Sequence, residues 1–163
     1  MRKYFFIIAA VVLFLDRVAK WAVASNIPLN NSVIVVPGFR LTHVQNTGAA
    51  FGLFAESSAQ WKVGALVTFS VVALVIVSAL LWKNSHSFST TTVGLSLILG
   101  GAMGNLWDRM VSGHVVDFLD LYVGTYHWPA FNVADSAIVI GAILLVFEIV
   151  FTKPANQTVN SSS

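Results

Sequence analysis

The sequence contains no cysteine and very little charge. The absence of cysteine excludes disulfides, thiol catalysis and thiolate metal sites. Charged residues make up 10% of the 163 residues and hydrophobic residues 56%, whereas typical soluble domains carry roughly 25% charged residues. The net charge of +2 is scattered, without a run of lysine and arginine, so no nucleic-acid partner is expected. This composition indicates one small domain that is integral to a membrane.

Three apolar runs are long enough to cross a bilayer as helices. A hydrocarbon core of about 30 Å requires roughly 20 mostly apolar residues in a helix. The runs cover about residues 62–82, 88–107 and 133–152. Tryptophan-lysine pairs bracket the first run, as is typical of residues at the membrane boundary.

The N-terminal region fits two interpretations. Arg2 and Lys3 before an apolar stretch at 4–15 resemble a secretory signal, and Ala22-Val23-Ala24 resembles its cleavage site. Three charged residues lie between that stretch and the alanines, however, where such signals are normally uncharged. An uncleaved first span at about 4–24 is therefore favoured.

The positive charges predict an orientation in the membrane. If four spans alternate, one side receives Arg2, Lys3, Lys83 and Lys153, and the other receives Arg40, Lys62 and Arg109. The positive-inside rule then favours both termini in the cytoplasm, which leaves residues 26–60 and 108–131 outside. A single domain at 1–153 and a polar, disordered tail at 154–163 complete this prediction.

The first outward segment has the pattern of a short β-hairpin. Apolar residues at 33–36, a turn at Pro37-Gly38 and alternating residues at 39–42 are typical of two paired strands. The second outward segment is apolar at 114–121 and is expected to rest on the bilayer surface. The predicted fold class is an all-α membrane protein, with four transmembrane helices and a small outward-facing β-hairpin, or cradle, between helices 1 and 2.

Ionisable residues within the spans are costly and are therefore functional candidates. Asp16 and Lys20 stand four residues apart on one helix face, either as a self-satisfying ion pair or as support for a site. Asp108 ends the third span, where an acid opposes the helix dipole and requires a partner. Its neighbour Arg109 is a candidate partner. The end of the third span is then either an anchor at the membrane interface or one wall of a pocket.

The fourth span opens with Asn132 and Asp135. This pair resembles a capping box, which is a purely structural explanation. With alternating spans, however, Asp108, Asp117, Asp120 and Asp135 all gather at the outer face. Two carboxylates held close share one proton. Such a pair can activate water as a base and protonate a departing group as an acid.

Other chemistries have less support in the sequence. The histidines are scattered at positions 43, 86, 114 and 127, without zinc spacing, and no Gly-x-Ser-x-Gly elbow occurs. No metal and no other cofactor are therefore expected. A small proton-coupled transporter that uses the aspartates as a relay is the main alternative, but it requires acids spread through the membrane, where Asp16 alone lies deep. A non-enzymatic interaction protein would give the outer acids no purpose.

Five sequence blocks follow one another along nearly the whole chain. They are Asp16-Arg17-Val18-Ala19-Lys20, Asn46-Thr47-Gly48-Ala49-Ala50-Phe51-Gly52, Gly104-Asn105-Leu106-Trp107-Asp108-Arg109, Val115-Val116-Asp117-Phe118 and Phe131-Asn132-Val133-Ala134-Asp135-Ser136. Together they resemble, in order, the signature blocks of lipoprotein signal peptidase (signal peptidase II). No single block is decisive, but five in order are highly specific. One departure is Ala19, where family members often carry a hydroxyl residue.

The resemblance implies a bacterial inner-membrane aspartyl peptidase. It would remove signal peptides from prolipoproteins, cutting before a cysteine that already carries a diacylglyceryl group. It would act as a monomer, with such prolipoproteins and membrane lipid as its partners and a site near the periplasmic face.

The resemblance also implies roles for particular residues. Asp117 and Asp135 match the family's catalytic pair, and Asp16 and Lys20 match first-span residues that support the site. The positions that match its pocket are Asn46, Gly48, Asn105, Asp108, Arg109 and Asn132.

Local environments agree with this choice of aspartates. Asp117 lies between two apolar residues, where desolvation favours the protonated acid. Asp135 lies at a helix N-terminus, where the dipole favours the ionised form. Asp108 suits an ionised structural role, whereas Asp120 precedes a turn and is expected to face water.

Overall fold

The computed structural model describes residues 2–48 and 60–151. Its elements are α1 (Arg2–Asn26), β1 (Ser32–Val36), β2 (Phe39–Asn46), α2 (Gln60–Asn84), α3 (Thr90–Ser112), β3 (Val115–Val123), β4 (Tyr126–His127) and α4 (Val133–Phe151). The part of the second sequence block at 49–52 and the predicted tail at 154–163 lie outside the described residues.

Four helices form where four spans were predicted, but their apolarity differs. Within the described residues, two helices are long and apolar enough to cross a membrane, Val63–Asn84 and Val133–Phe151. The helix α1 carries several charges, and α3 is rich in threonine, serine and glycine, which lowers its hydropathy. The outer surface is nevertheless strongly apolar, with Phe69 73% and Ile149 80% exposed. Apolar surface on this scale indicates contact with lipid.

Small residues allow α3 to pack closely against its neighbours α1 and α4. A Cβ atom added at Gly101 would lie 2.4 Å from the carbonyl oxygen of Ala134 in α4. One added at Gly100 would lie 2.6 Å from the carbonyl oxygen of Ala9 in α1. Such close backbone approach is the usual basis of helix association in membranes. It also brings the polar ends of α1, α3 and α4 together at one place.

The two segments that are predicted to face outward form one antiparallel sheet of four strands in the order β1-β2-β3-β4. The predicted hairpin is present as β1 and β2, joined at Gly38 with a φ of +87°. The segment at 114–121, which is expected to be an apolar stretch on the bilayer surface, is instead a strand of this sheet. It forms β3, in which Val115 pairs with Asn46 and Asp117 with Val44. The fold is therefore mostly helical with a sheet larger than the predicted hairpin.

Burial of an apolar side chain explains why β3 packs against the helix bundle. Phe118 is buried against Val23 of α1 and against Ile27, which directly follows that helix, and this contact fixes the sheet on the end of the helix bundle. Burying a side chain of this size contributes roughly 1.5–3 kcal/mol. Pairing with β2 satisfies the backbone groups that a strand lying in the interface would leave open. As a result, Asp117 faces the polar ends of the helices.

Candidate active site

Asp117 lies on β3 and is almost completely buried, with 3% of its surface exposed. Each carboxylate oxygen accepts one amide hydrogen bond. The Nδ2 atom of Asn46 donates to Oδ2 at 2.8 Å, and Nδ2 of Asn132 donates to Oδ1 at 2.7 Å. Burial, together with the nearby charge of Asp135, raises the pKa of Asp117 to about 6, against the opposing effect of the hydrogen bonds from Asn46 and Asn132.

Asp135 is held in the first turn of α4. Its backbone N–H donates to Oδ1 of Asn132 at 2.9 Å, and its Oδ2 accepts from the backbone N–H of Asn132 at 3.3 Å. The predicted capping box is therefore present. The other oxygen, Oδ1, accepts from Nδ2 of Asn105 at 2.7 Å. The capping role does not separate Asp135 from the site, because Asn132, its partner in the capping box, also binds Asp117.

Three asparagine amides are oriented by groups that can only donate. The Oδ1 atom of Asn46 accepts from the N–H of Gly48 at 2.8 Å, and Oδ1 of Asn105 accepts from Nζ of Lys20 at 3.0 Å. In the same way, Oδ1 of Asn132 caps α4. Because an ammonium or a backbone N–H cannot accept, each amide must turn its NH₂ group the other way. All three NH₂ groups consequently donate to the two aspartates.

Lys20 connects this site to a buried charge network. Its Nζ atom lies 2.7 Å from Oδ2 of Asp16, 2.6 Å from Oδ2 of Asp108 and 3.0 Å from Asn105. The ammonium donates hydrogen bonds to Asp108 and Asn105 and forms an ion pair with Asp16. The second oxygen of Asp16 accepts from the N–H of Ala134 at 2.9 Å, at the start of α4. The predicted ion pair of Asp16 and Lys20 is present, and it also joins α1 to α3 and α4.

The partner of Asp108 differs from the prediction. Arg109 does not pair with it; Lys20 and the guanidinium of Arg17 do. Adjacent side chains on a helix diverge, so Arg109 points elsewhere. Its guanidinium donates to the carbonyl oxygens of Asn105 at 3.2 Å and Gly48 at 3.1 Å. Its buried Nε atom has no hydrogen-bond partner within the described residues, which leaves a donor beside the aspartates.

Asp120 does not face water, contrary to the expectation. It is 4% exposed, accepts from Nε of Arg40 at 2.5 Å and lies 3.0 Å from Nδ1 of His127. Arg40 and Asp120 stand opposite each other on β2 and β3. Sequence reasoning missed Arg17, Arg40 and His127 as partners of acids. The position of Arg40 in the alternating pattern of the predicted hairpin was the one signal present in the sequence. It did not identify Asp120 as the partner, because the segment at 114–121 was not predicted to form a strand.

Each aspartate opens into its own cavity. Asp117 lines a cavity of about 210 Å³, which is also lined by Val44, Gln45, Asn46, Thr47, Pro129 and Ala130. Asp135 lines a more apolar cavity of about 320 Å³, which is also lined by Trp128, Phe131, Ser136, Val139 and Ile140. Residues 128–131, hereafter the wall segment, contribute to both cavities.

We expect the pKa of Asp117 to respond in opposite directions to two substitutions. Asp135→Asn removes the charge that raises it, so the pKa falls below about 6. Asn46→Ala removes a donor that stabilises the carboxylate, so the pKa rises above about 6. Carboxyl-carbon NMR of the ¹³C-labelled protein during a pH titration measures both shifts. Glu148→Gln, at the far end of α4, is the control; equal pKa values in all variants would contradict the described contacts.

Comparison with known proteins gives consistent matches over the whole fold. The family model described as signal peptidase (SPase) II matches residues 8–151. A lipoprotein signal peptidase of Solibacter usitatus is 43% identical, with 95% of this chain and 94% of that protein covered. Another, from Desulforapulum autotrophicum, is 46% identical, with coverage of 90% and 91%. A bacterial membrane enzyme solved at 2.3 Å by the in meso method superposes with a TM-score of 0.80 at 30% identity, covering 94% of this chain and 93% of that one.

These matches, with the apolar helices, define the class of protein as a membrane-bound peptidase. More narrowly, the chain belongs to the signal peptidase II family, the lipoprotein signal peptidases. The family expected from the five sequence blocks is thereby confirmed. The matches do not support the alternative of a proton-coupled transporter.

Proposed function

We propose that this protein is an aspartyl endopeptidase that removes signal peptides from diacylglyceryl-modified prolipoproteins by cutting before the lipidated cysteine. Membership of the family supports signal-peptide removal from prolipoproteins. The observation that carries the aspartyl mechanism is the convergence of buried Asp117 and partly buried Asp135, which both bind Asn132. A pair held in this way is suited to share one proton.

The proposed hydrolysis requires that one acid is ionised and the other is protonated. Asp135 is ionised at the helix N-terminus and takes a proton from water, whose oxygen attacks the scissile carbonyl carbon. Asp117 is protonated and gives its proton to the carbonyl oxygen, which yields a neutral gem-diol. Asp135 then protonates the amide nitrogen and the C–N bond breaks. A hydroxyl proton of the gem-diol returns to Asp117, so the acids end as they began.

Access to the acids is proposed to occur from the bilayer. The cavity at Asp135 is continuous with Val139 and Ile140, which lie on the outer surface of α4. An apolar signal helix or acyl chain can enter along such a surface without crossing water. The free Nε donor of Arg109 is suited to bind a carbonyl group of the substrate backbone. Neither step requires a cofactor.

A reconstituted cleavage assay tests this function. Purified protein in detergent is incubated with a diacylglyceryl-modified precursor and with the same precursor without lipid. Release of the signal peptide is expected from the lipidated form alone, and it should persist with a chelator or a serine-directed reagent. Equal cutting of both precursors would contradict the proposed substrate, and loss of activity with the chelator would contradict the proposed mechanism.

The proposal includes four spans in the bacterial inner membrane, with both termini in the cytoplasm and a monomer as the working unit. The sheet and the aspartates then lie at the periplasmic face. Thr125, in the turn between β3 and β4, and His86, between α2 and α3, are both exposed and mark the two sides. We therefore expect Thr125→Cys to react with an impermeant thiol reagent in intact cells.

In contrast, His86→Cys is expected to react only after the membrane is permeabilised. The chain has no native cysteine, so each variant reports one position and the unsubstituted protein gives the background. The reverse labelling pattern would place the aspartates in the cytoplasm and overturn the orientation.

A further inference from the structure

We propose that Asp120, together with Arg40 and His127, is a positioning group that holds the wall segment and thereby sets the affinity for substrate. This inference rests on the proposed function, because it concerns how the same site binds its precursor. Asp120 lies three residues after Asp117 on β3, but it does not contact the catalytic pair in the described hydrogen bonds.

Asp120 joins three strands through one buried carboxylate. Arg40 on β2 donates to Oδ2 at 2.5 Å. His127 on β4 places Nδ1 3.0 Å from Oδ1 and 3.2 Å from Oδ2. The ring of Tyr122 stacks on His127 with centroids 5.1 Å apart, and the Arg40 guanidinium lies 5.8 Å from the centre of the same ring. Arg40 gives the carboxylate a charged donor, and such a hydrogen bond is stronger than one between neutral groups.

The strand β4, which carries His127, is held only weakly by its own backbone pairing. It contains two residues, Tyr126 and His127, and pairs with β3 at only two positions, so its ladder gives little support. The wall segment begins directly after it. Trp128 donates its N–H to Leu121 at 2.8 Å, and backbone bonds next resume at Phe131, which is bonded to Leu119.

All four residues of the wall segment line the two substrate cavities. Pro129 has no amide hydrogen, and it lines the cavity of Asp117 together with Ala130. Trp128 and Phe131 line the cavity of Asp135. Displacement of His127 would therefore move the walls of both cavities, while Asp117 on β3 and Asp135 on α4 keep their own hydrogen bonds.

Loss of the attachment should consequently weaken substrate binding more than it slows the chemical steps. Removal of contacts used equally in the ground and transition states raises KM and leaves kcat unchanged. For His127→Ala and Asp120→Asn we expect KM for the lipidated precursor to rise about ten-fold, with kcat within about two-fold of the original value. The double variant should show little further loss, because both substitutions break one interaction.

Two further variants separate positioning from general damage. His127→Asn keeps a donor close to the position of Nδ1 and should restore KM to near the original value. His86→Ala removes an exposed histidine between α2 and α3 and serves as the matched control. The dissociation constant for the lipidated precursor, measured in parallel by fluorescence anisotropy, reports binding independently of turnover.

The outcomes separate this inference from the function on which it rests. Absence of cleavage by the unsubstituted protein would contradict the proposed function. With cleavage present, unchanged KM and dissociation constants in Asp120→Asn and His127→Ala would overturn the positioning role. A fall in kcat at constant KM would overturn it as well, because that pattern reports loss of folded enzyme or direct participation in the reaction.

Discussion

Asp117→Asn and Asp135→Asn are each expected to lower the rate of precursor cleavage by roughly 10²- to 10⁴-fold. Asparagine is nearly isosteric with aspartate but cannot exchange a proton. At position 117 it removes the acid whose pKa of about 6 allows it to hold the shared proton. At position 135 it removes the base that would activate water. The measurement is release of signal peptide from lipidated precursor at saturating substrate.

Folding of these variants is expected to be preserved. The amide oxygen at either position can still accept one of the two hydrogen bonds that the carboxylate accepted. Glu148→Gln serves as the matched control, because it neutralises a carboxylate at the opposite end of α4 from Asp135. It should retain full activity. A fully active Asp117→Asn protein, assayed on the lipidated precursor, would disprove the assignment of the catalytic pair.

Lys20→Met is expected to produce the largest loss of stability. Lys20 is 3% exposed and is shared by Asp16 and Asp108, which are themselves buried. Removal of the ammonium leaves these acids without their common partner, and breaking a buried pair in this way costs roughly 3–5 kcal/mol. The guanidinium of Arg17 still reaches Asp108 but not Asp16 in the described contacts. Thermal unfolding in detergent, followed by tryptophan fluorescence, measures the effect.

The matched control for this prediction is Lys83→Met. Lys83 is an exposed lysine in the last turn of α2, so its removal should change the unfolding temperature little. Lys20→Met should also lose activity at temperatures where it stays folded, because Asn105 is then free to turn its oxygen towards Asp135. Equal melting of the two variants would show that the buried network does not stabilise the fold.

The sequence by itself determined the four helices, the first hairpin and the family. Long apolar runs specify helices in lipid, since every backbone group must be satisfied within the segment. Local signals also specified the capping of α4 by Asn132 and the pairing of Asp16 with Lys20, because these contacts span three and four residues. The five blocks specified the family.

The tertiary structure alone decided which acids meet which partners. Lys20 and Asp108 are 88 residues apart, and Asn46 and Asp117 are 71 apart. No periodicity in a single sequence encodes such distances. By its sequence alone, the apolar segment that follows α3 is equally suited to the bilayer surface. In the structure its backbone is hydrogen-bonded to the edge of β2. That pairing buried Asp120, placed Asp117 beside the helix ends and created the sheet, because a strand's position depends on the neighbour that satisfies its backbone.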